Sequence, residues 1–154
     1  MARNEILIYA DPEQVFAVLA DGRSYGHWVV GSSEIRDVEP GFPAVGTRFH
    51  HKVGLGPWKI ADHTLIEESE PPHRLKLRTR ARPLGTALVT MELLPHAEGT
   101  RVVMVEEGGD PLTALVVFNP LTDLLVHGRN DESLRRLKRL AEGRGPSMEQ
   151  AAAP

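Results

Sequence analysis

The end of the chain carries the clearest structural signal, since residues 110–142 read DPLTALVVFNPLTDLLVHGRNDESLRRLKRLAE. Two helix starts occur there, at Asp110 and at Asn119, each with a capping side chain followed by a proline that fits the first helical turn. The second start leads into a long helix that we expect to end at Gly143, because glycine commonly follows the last helical turn. A helix of this length is stabilised mainly by burying an apolar face against another element.

The long helix is apolar on two sides. At about 100° per residue, one side is formed by Val126, Asn130, Leu134, Leu137 and Ala141. The nearly opposite side holds Leu121, Leu124, Leu125 and Gly128. We expect the first side to meet a sheet. The second should be covered by a loop, by the short first helix or by a second subunit, because soluble monomers avoid large exposed apolar patches. The stripe therefore predicts a homodimer as one arrangement.

The chain before residue 110 is predicted to hold a short helix and a meander of antiparallel strands. The segment 5–10 is short and mostly apolar and contains β-branched residues, which predicts a first strand. Asp11, Pro12 and Gln14 then form a capping box at the start of a helix. The apolar face of that helix consists of Val15, Phe16, Val18 and Leu19. Between residues 32 and 107, turn signals fall at residues 40–41, 54–57, 71–72, 83–85 and 98–99.

The clearest strand alternation is RLKLRTRAR at residues 74–82. Leu75, Leu77, Thr79 and Ala81 face one way, and the five cations face the other. A row of cations is compatible with phosphate binding, but a solvated outer face is favoured, because antiparallel sheets commonly keep one face in water. The acidic balance of the whole chain supports the solvated face.

Composition excludes several classes of function. The chain has 154 residues, which is the size of one domain with its own core. Its net charge of -3 argues against nucleic-acid binding, and its lack of cysteine excludes disulfides and thiolate chemistry. The N-terminus lacks the apolar run of a secretory signal, and the most apolar segment, residues 112–126, is too short and interrupted to cross a bilayer. These features predict a cytoplasmic protein without stable membrane insertion.

Four segments of the chain carry a resemblance to a known family. They are ADPEQVF at 10–16, FPAVGT at 42–47, GTRV at 99–102 with Glu106, and Arg129-Asn130 with LRRL at 134–137. With the order of elements, they make the chain resemble the SRPBCC, or START-like, superfamily of polyketide cyclase/dehydrase and lipid-transport proteins. The resemblance implies an α+β helix-grip fold over residues 1–143, with residues 144–154 as a flexible tail. In this fold a curved antiparallel sheet of about seven strands wraps around a long C-terminal helix, and two short helices follow the first strand.

The resemblance implies a cavity between sheet and helix that holds a small hydrophobic or amphipathic molecule, lipid-like or polyketide-like, without a cofactor. The alternative is a polyketide cyclase, aromatase or dehydratase that uses acid/base residues in the same cavity. A third hypothesis is a homodimeric interaction protein whose cavity is filled by side chains. The residues that strand alternation and helix geometry place along the cavity are Trp28, Phe49, His51, Trp58, Leu77, Val89, Met91, Met104 and Asn130.

Three inward-facing residues are candidates for acid/base chemistry: His51, Asp62 and Glu106. Histidine titrates near neutrality, and a carboxyl group in an apolar cavity has a raised pKa. The structural alternative, which we favour, is that the two carboxylates are satisfied by backbone amides or an arginine while His51 packs as an aromatic ring. No metal site is predicted, because the neighbouring His50 and His51 point to opposite faces of a strand.

Overall fold

A curved antiparallel sheet and a long C-terminal helix make up most of the computed structural model, which describes residues 1–55, 57–81, 85–116 and 119–143. The strands are β1 (Ala2–Ile8), β2 (Ser32–Val38), β3 (Arg48–Leu55), β4 (Trp58–Glu70), β5 (Arg74–Ala81), β6 (Gly85–His96) and β7 (Gly99–Gly108). The helices are α1 (Pro12–Leu19), α2 (Tyr25–Trp28), α3 (Pro111–Val116) and α4 (Pro120–Gly143), and a single 3₁₀ turn (Gly22–Ser24) precedes α2. This is the arrangement predicted from the sequence.

The seven strands form one sheet in the order β1-β7-β6-β5-β4-β3-β2, and every neighbouring pair is antiparallel. Strands β2 to β7 thus follow one another as a meander. The first strand of the chain, β1, pairs with the last, β7. Register shifts occur in β2 and, between Ile66 and Glu68, in β4. Bulges of this kind bend a strand and increase its twist, which helps the sheet to curve around α4.

Local sequence signals place α1 as expected. The Gln14 amide donates to Asp11 Oδ1 at 2.8 Å, and the Asp11 amide donates to Gln14 Oε1 at 3.1 Å, so the predicted capping box is present. The four apolar residues predicted to form the inner face of the helix are all buried. Against them pack α4 and the inner face of the sheet, which fixes α1 at one end of the core.

The first strand begins earlier than predicted: it spans Ala2–Ile8 and not residues 5–10. The whole strand pairs with β7, from Ala2 opposite Glu106 to Ile8 opposite Thr100. The inward residue Asn4 is buried because its Nδ2 group donates to the His127 carbonyl at 3.0 Å and to Asp131 Oδ1 at 2.7 Å, both on α4. A hydrophobic pattern cannot detect a strand start whose inward residue is buried through hydrogen bonds to a helix.

The two sides of α4 differ in their environment. The predicted inner side is buried at Asn130, Leu134, Leu137 and Ala141, with Ser133 beside them. On the other side Leu121 is 90% exposed, Leu124 80% and Leu125 75%. The cover expected over this stripe is not formed by the part of the chain that the structure describes, so the homodimer stays a prediction. None of the described helices is both long and apolar enough to cross a membrane.

Candidate functional site

A cavity of about 310 Å³ lies between the inner face of the sheet and the first half of α4. Strands β3 to β7 supply one wall, α4 supplies another, and α2 with the following residues 29–32 lies at one end. Most of the wall is apolar, with Trp28, Phe49, Leu77, Val89 and Met104 among its side chains. Ligand pockets in proteins occupy about 300–1,000 Å³ and are mostly apolar with a few placed polar groups. This cavity has that character and lies at the small end of the range.

The structure brings most of the predicted site residues together around this cavity. Those that line it are Trp28, Phe49, His51, Leu77, Val89, Met104 and Asn130. Met91 is placed differently: its side chain is fully buried in the hydrophobic core and is not among the residues that line the cavity. At that level of the sheet, Leu75 lies opposite Met91, and core side chains fill the space under α4. The side chain of Trp58 lies outside the described residues.

Part of the cavity wall was not predicted. Residues 29–31, between α2 and β2, and Ser32 at the start of β2 contribute to one end, and Thr113 of α3 and Leu125 of α4 contribute to another side. The loop has no periodicity from which its orientation could be read. The position of α3 depends on contacts between elements distant in sequence, so local patterns do not reveal it.

One carboxylate fixes α3 against the sheet. Asp110 accepts hydrogen bonds from the amide and hydroxyl of Thr113, at 2.8 and 2.7 Å, and from the amide and hydroxyl of Thr86, at 3.2 and 2.9 Å. These bonds stabilise the charged form and hold the pKa of Asp110 well below its usual range. The N-cap role predicted for Asp110 is therefore present, and the same side chain also ties α3 to the start of β6.

Close backbone approach helps α3 to take this position. A Cβ atom on Gly108, at the end of β7, would lie 2.5 Å from the amide nitrogen of Ala114 in α3. A side chain there is incompatible with the contact, so glycine allows α3 to lie directly on the end of the strand. The cavity thus has a side built from a helix that is held by Asp110 and by this close packing.

His51 is a neutral, buried side chain in the cavity wall. It is 2% exposed, its Nε2 atom lies 3.0 Å from Thr64 Oγ1, and its ring centroid lies 5.3 Å from that of Phe49. Burial lowers the pKa of His51 to about 4, and the opposing effect of the Asp62 charge is smaller. An imidazole with this pKa is unprotonated near neutral pH and can accept a proton but cannot supply one.

Asp62 is buried and faces inward, opposite His51 in the β3–β4 register, but it does not line the cavity. Its Oδ1 atom accepts from the amide of His63 at 3.0 Å and lies 3.8 Å from His63 Nδ1. Of the three members of the predicted acid/base set, His51 and Glu106 line the cavity and Asp62 lies beside His51 on the neighbouring strand.

Glu106 lines the cavity, and an arginine neutralises its charge. Both carboxylate oxygens accept from Arg129 Nη2 at 2.5 Å, and the same nitrogen lies 3.3 Å from Asn130 Oδ1. The Glu106 side chain is 6% exposed and that of Arg129 is 42% exposed, so the ion pair reaches from the cavity wall to the surface. This contact matches the structural alternative considered for Glu106, and Arg129 is a wall residue that the sequence did not single out.

Over the described ranges, no group of three or more histidine, aspartate or glutamate side chains converges in the manner of metal ligands. Among the residues that line the cavity, polar side chains can form hydrogen bonds and neutral His51 can accept a proton. The prediction of a site without a metal or cofactor stays a prediction.

The chain belongs to the polyketide cyclase/dehydrase and lipid transport family, whose model matches residues 2–142. The resemblance predicted from the sequence is thereby confirmed. No curated protein was found to match the chain.

Solved structures share its fold. A protein from Mesorhizobium loti, MLL2253, is 20% identical with a TM-score of 0.67, over 90% of this chain and 94% of its own. DynU16, from the dynemicin biosynthetic locus, is 19% identical with a TM-score of 0.66, over 95% of this chain and 48% of its own. The di-domain ARO/CYC StfQ, from the steffimycin biosynthetic pathway, is 13% identical with a TM-score of 0.69, over 92% of this chain and 50% of its own. At these identities the likeness is one of fold, and this chain spans about half the length of the last two proteins.

Proposed function

We propose that the protein binds a small hydrophobic or amphipathic molecule in the cavity between the sheet and α4. The observation that carries the proposal is the cavity itself: about 310 Å³ of apolar-walled space beside the hydrophobic core. Apolar walls that surround a space of this size make fewer van der Waals contacts with one another than a solid core would. A ligand restores those contacts, and the description of the family, which includes lipid transport, supports this role.

Filling the cavity is expected to weaken binding without unfolding the protein. The neutral fluorescent probe N-phenyl-1-naphthylamine should bind to the native protein with increased emission, as it enters an apolar site. Val89→Trp places an indole in the cavity, because Val89 lines it. The indole and the probe then compete for the same space, and such overpacking costs about 1–3 kcal/mol. We therefore expect the dissociation constant of the probe to rise about tenfold or more.

The control is Leu88→Trp, the same substitution at the next position of β6, where the side chain points to the other face of the sheet. This variant should bind the probe like the native protein, and circular dichroism should show that both variants are folded. Equal binding by the native protein and by folded Val89→Trp would show that the probe binds elsewhere and would remove support for the cavity as the site.

A second candidate function is a cyclase or dehydratase, and the buried neutral His51 is the observation that favours it. An imidazole with a pKa of about 4 in the cavity wall could take a proton from a carbon next to a ligand carbonyl and leave an enolate. In deuterated water, exchange at that carbon of a bound ketone would then be slower with His51→Ala than with His96→Ala, whose side chain is exposed at a turn. Equal exchange rates would exclude His51 as the base.

A further inference from the structure

Four residues that line the cavity carry a buried polar atom with no hydrogen-bond partner among the described residues. Two of these atoms are Ser32 Oγ and His51 Nδ1, and the other two are N–H groups that can only donate. They are Nε1 of Trp28, a residue that is 2% exposed, and Nδ2 of Asn130, which is 1% exposed. The orientation of the Asn130 amide is set by Arg129, which can only donate and therefore faces Oδ1. Buried polar groups are nearly always paired, and an unpaired one destabilises the folded state. Two unpaired N–H donors in the wall of one cavity indicate a ligand that accepts hydrogen bonds.

The charges around the cavity indicate what kind of acceptor fits. Glu106 is already neutralised by Arg129, which in turn has both carboxylate oxygens as partners. His51 is uncharged near neutral pH. A carboxylate on the ligand would enter an apolar cavity next to Glu106 and compete with it for Arg129, which makes burial of an ionised group costly. A neutral oxygen atom on the ligand can accept hydrogen bonds from the unpaired donors without the cost of burying a charge.

We propose that the ligand is a small neutral carbonyl compound, of about one or two fused rings, whose oxygen atoms accept hydrogen bonds from Asn130 Nδ2 and Trp28 Nε1. This proposal rests on the proposed function and specifies its ligand class. The cavity, at about 310 Å³, has room for a compact ring system and little room for an extended acyl chain or a molecule of four fused rings. A hydrocarbon of the same shape would leave both donors unpaired. A site that hydrogen-bonds its ligand discriminates most strongly against an analogue that lacks the bonding group.

The test compares 1-tetralone with tetralin, which has the same ring skeleton and no carbonyl group. Calorimetric titration of the native protein should give a dissociation constant for the ketone that is lower by about tenfold or more, the effect of pairing one buried donor. The anion 1-naphthoate has a ring system of similar size and carries a carboxylate, so it should bind more weakly than 1-tetralone.

Two substitutions of buried asparagines should give opposite results. Asn130→Leu keeps the shape of the side chain and removes the donor, so the preference for 1-tetralone should fall while the melting temperature stays equal or rises. Asn4→Leu removes an amide whose donors are paired with α4 and which does not line the cavity. It should lower the melting temperature and leave the preference unchanged. Trp28→Phe, which keeps the aromatic ring and loses Nε1, should also reduce the preference.

The outcomes separate this proposal from the proposed function. Tight binding of tetralin, equal to that of 1-tetralone, would overturn the assignment of a carbonyl ligand and leave the cavity as a binding site. Tighter binding of 1-naphthoate would overturn the neutral class. Absence of binding by both ring compounds would overturn the inference together with the cavity proposal. A lowered melting temperature with unchanged preference in Asn130→Leu would show that Asn130 is structural.

Discussion

Leu137→Ala is expected to lower the free energy of unfolding by about 2–5 kcal/mol, because it opens a cavity in a close-packed core. Leu137 is fully buried on the side of α4 that packs against β1 and α1, within the main hydrophobic cluster. Urea denaturation of the variant and the native protein gives the difference directly, provided that the slopes agree.

Leu121→Ala is the matched control, since it is the same change on the same helix at a side chain that is 90% exposed. Its effect should stay within about 0.5 kcal/mol, as for most surface substitutions. Similar losses for the two variants would mean that the stripe at Leu121, Leu124 and Leu125 is buried in solution, as a homodimer would require. Light scattering would then show a molecular mass above that of one chain.

The stability of the native protein is expected to decrease as the pH falls from about 6.5 to about 4, through His51. Its ordinary pKa is 6.5 and burial lowers it to about 4 in the folded state, so within this window the unfolded chain binds a proton that the folded chain does not. Stability rises with pH wherever the unfolded state binds more protons. The contribution is complete above about pH 6.5, is lost progressively toward pH 4, and amounts to about 3 kcal/mol.

His51→Gln should flatten this dependence, because glutamine does not titrate. The free energy of unfolding is measured for both proteins at several pH values between 4 and 7. The comparison uses the slope of this free energy against pH, because the substitution also changes the absolute stability. His73→Gln is the control, since His73 is exposed in the β4–β5 turn. Some slope should remain in His51→Gln, because burial also lowers the pKa of His63. An unchanged slope in His51→Gln would show that His51 titrates normally.

Local sequence signals were sufficient for the elements and for their faces. The capping box of Asp11 and Gln14 and the buried side of α4 from Asn130 to Ala141 follow from hydrogen-bonding groups and periodicities within a few residues. The alternation in β5, where Leu75 and Leu77 face inward, is equally local. The signals for these elements lie within a few residues of one another, so the sequence predicts them well.

The position of the cavity along those faces could not be predicted. A period of two residues puts Val89 and Met91 on the same face of β6, but it does not show that the space under α4 is open at Val89 and filled at Met91. The placement of α3 depends on Asp110 reaching Thr86, 24 residues away, and on contact with Gly108. Such long-range contacts leave no mark on local patterns.

The helix α4 divides stability and selectivity between its two halves. Five residues of α4 line the cavity, namely Leu125, Val126, Arg129, Asn130 and Ser133, whereas Leu134, Leu137 and Ala141 belong to the core. If the cavity binds a ligand as proposed, we expect substitutions at the first set to alter what it accepts, and substitutions at the second set to alter the stability of the fold. Evolution or protein engineering can therefore change the ligand of such a domain through a few positions in two turns of helix, without rebuilding the sheet that supports them.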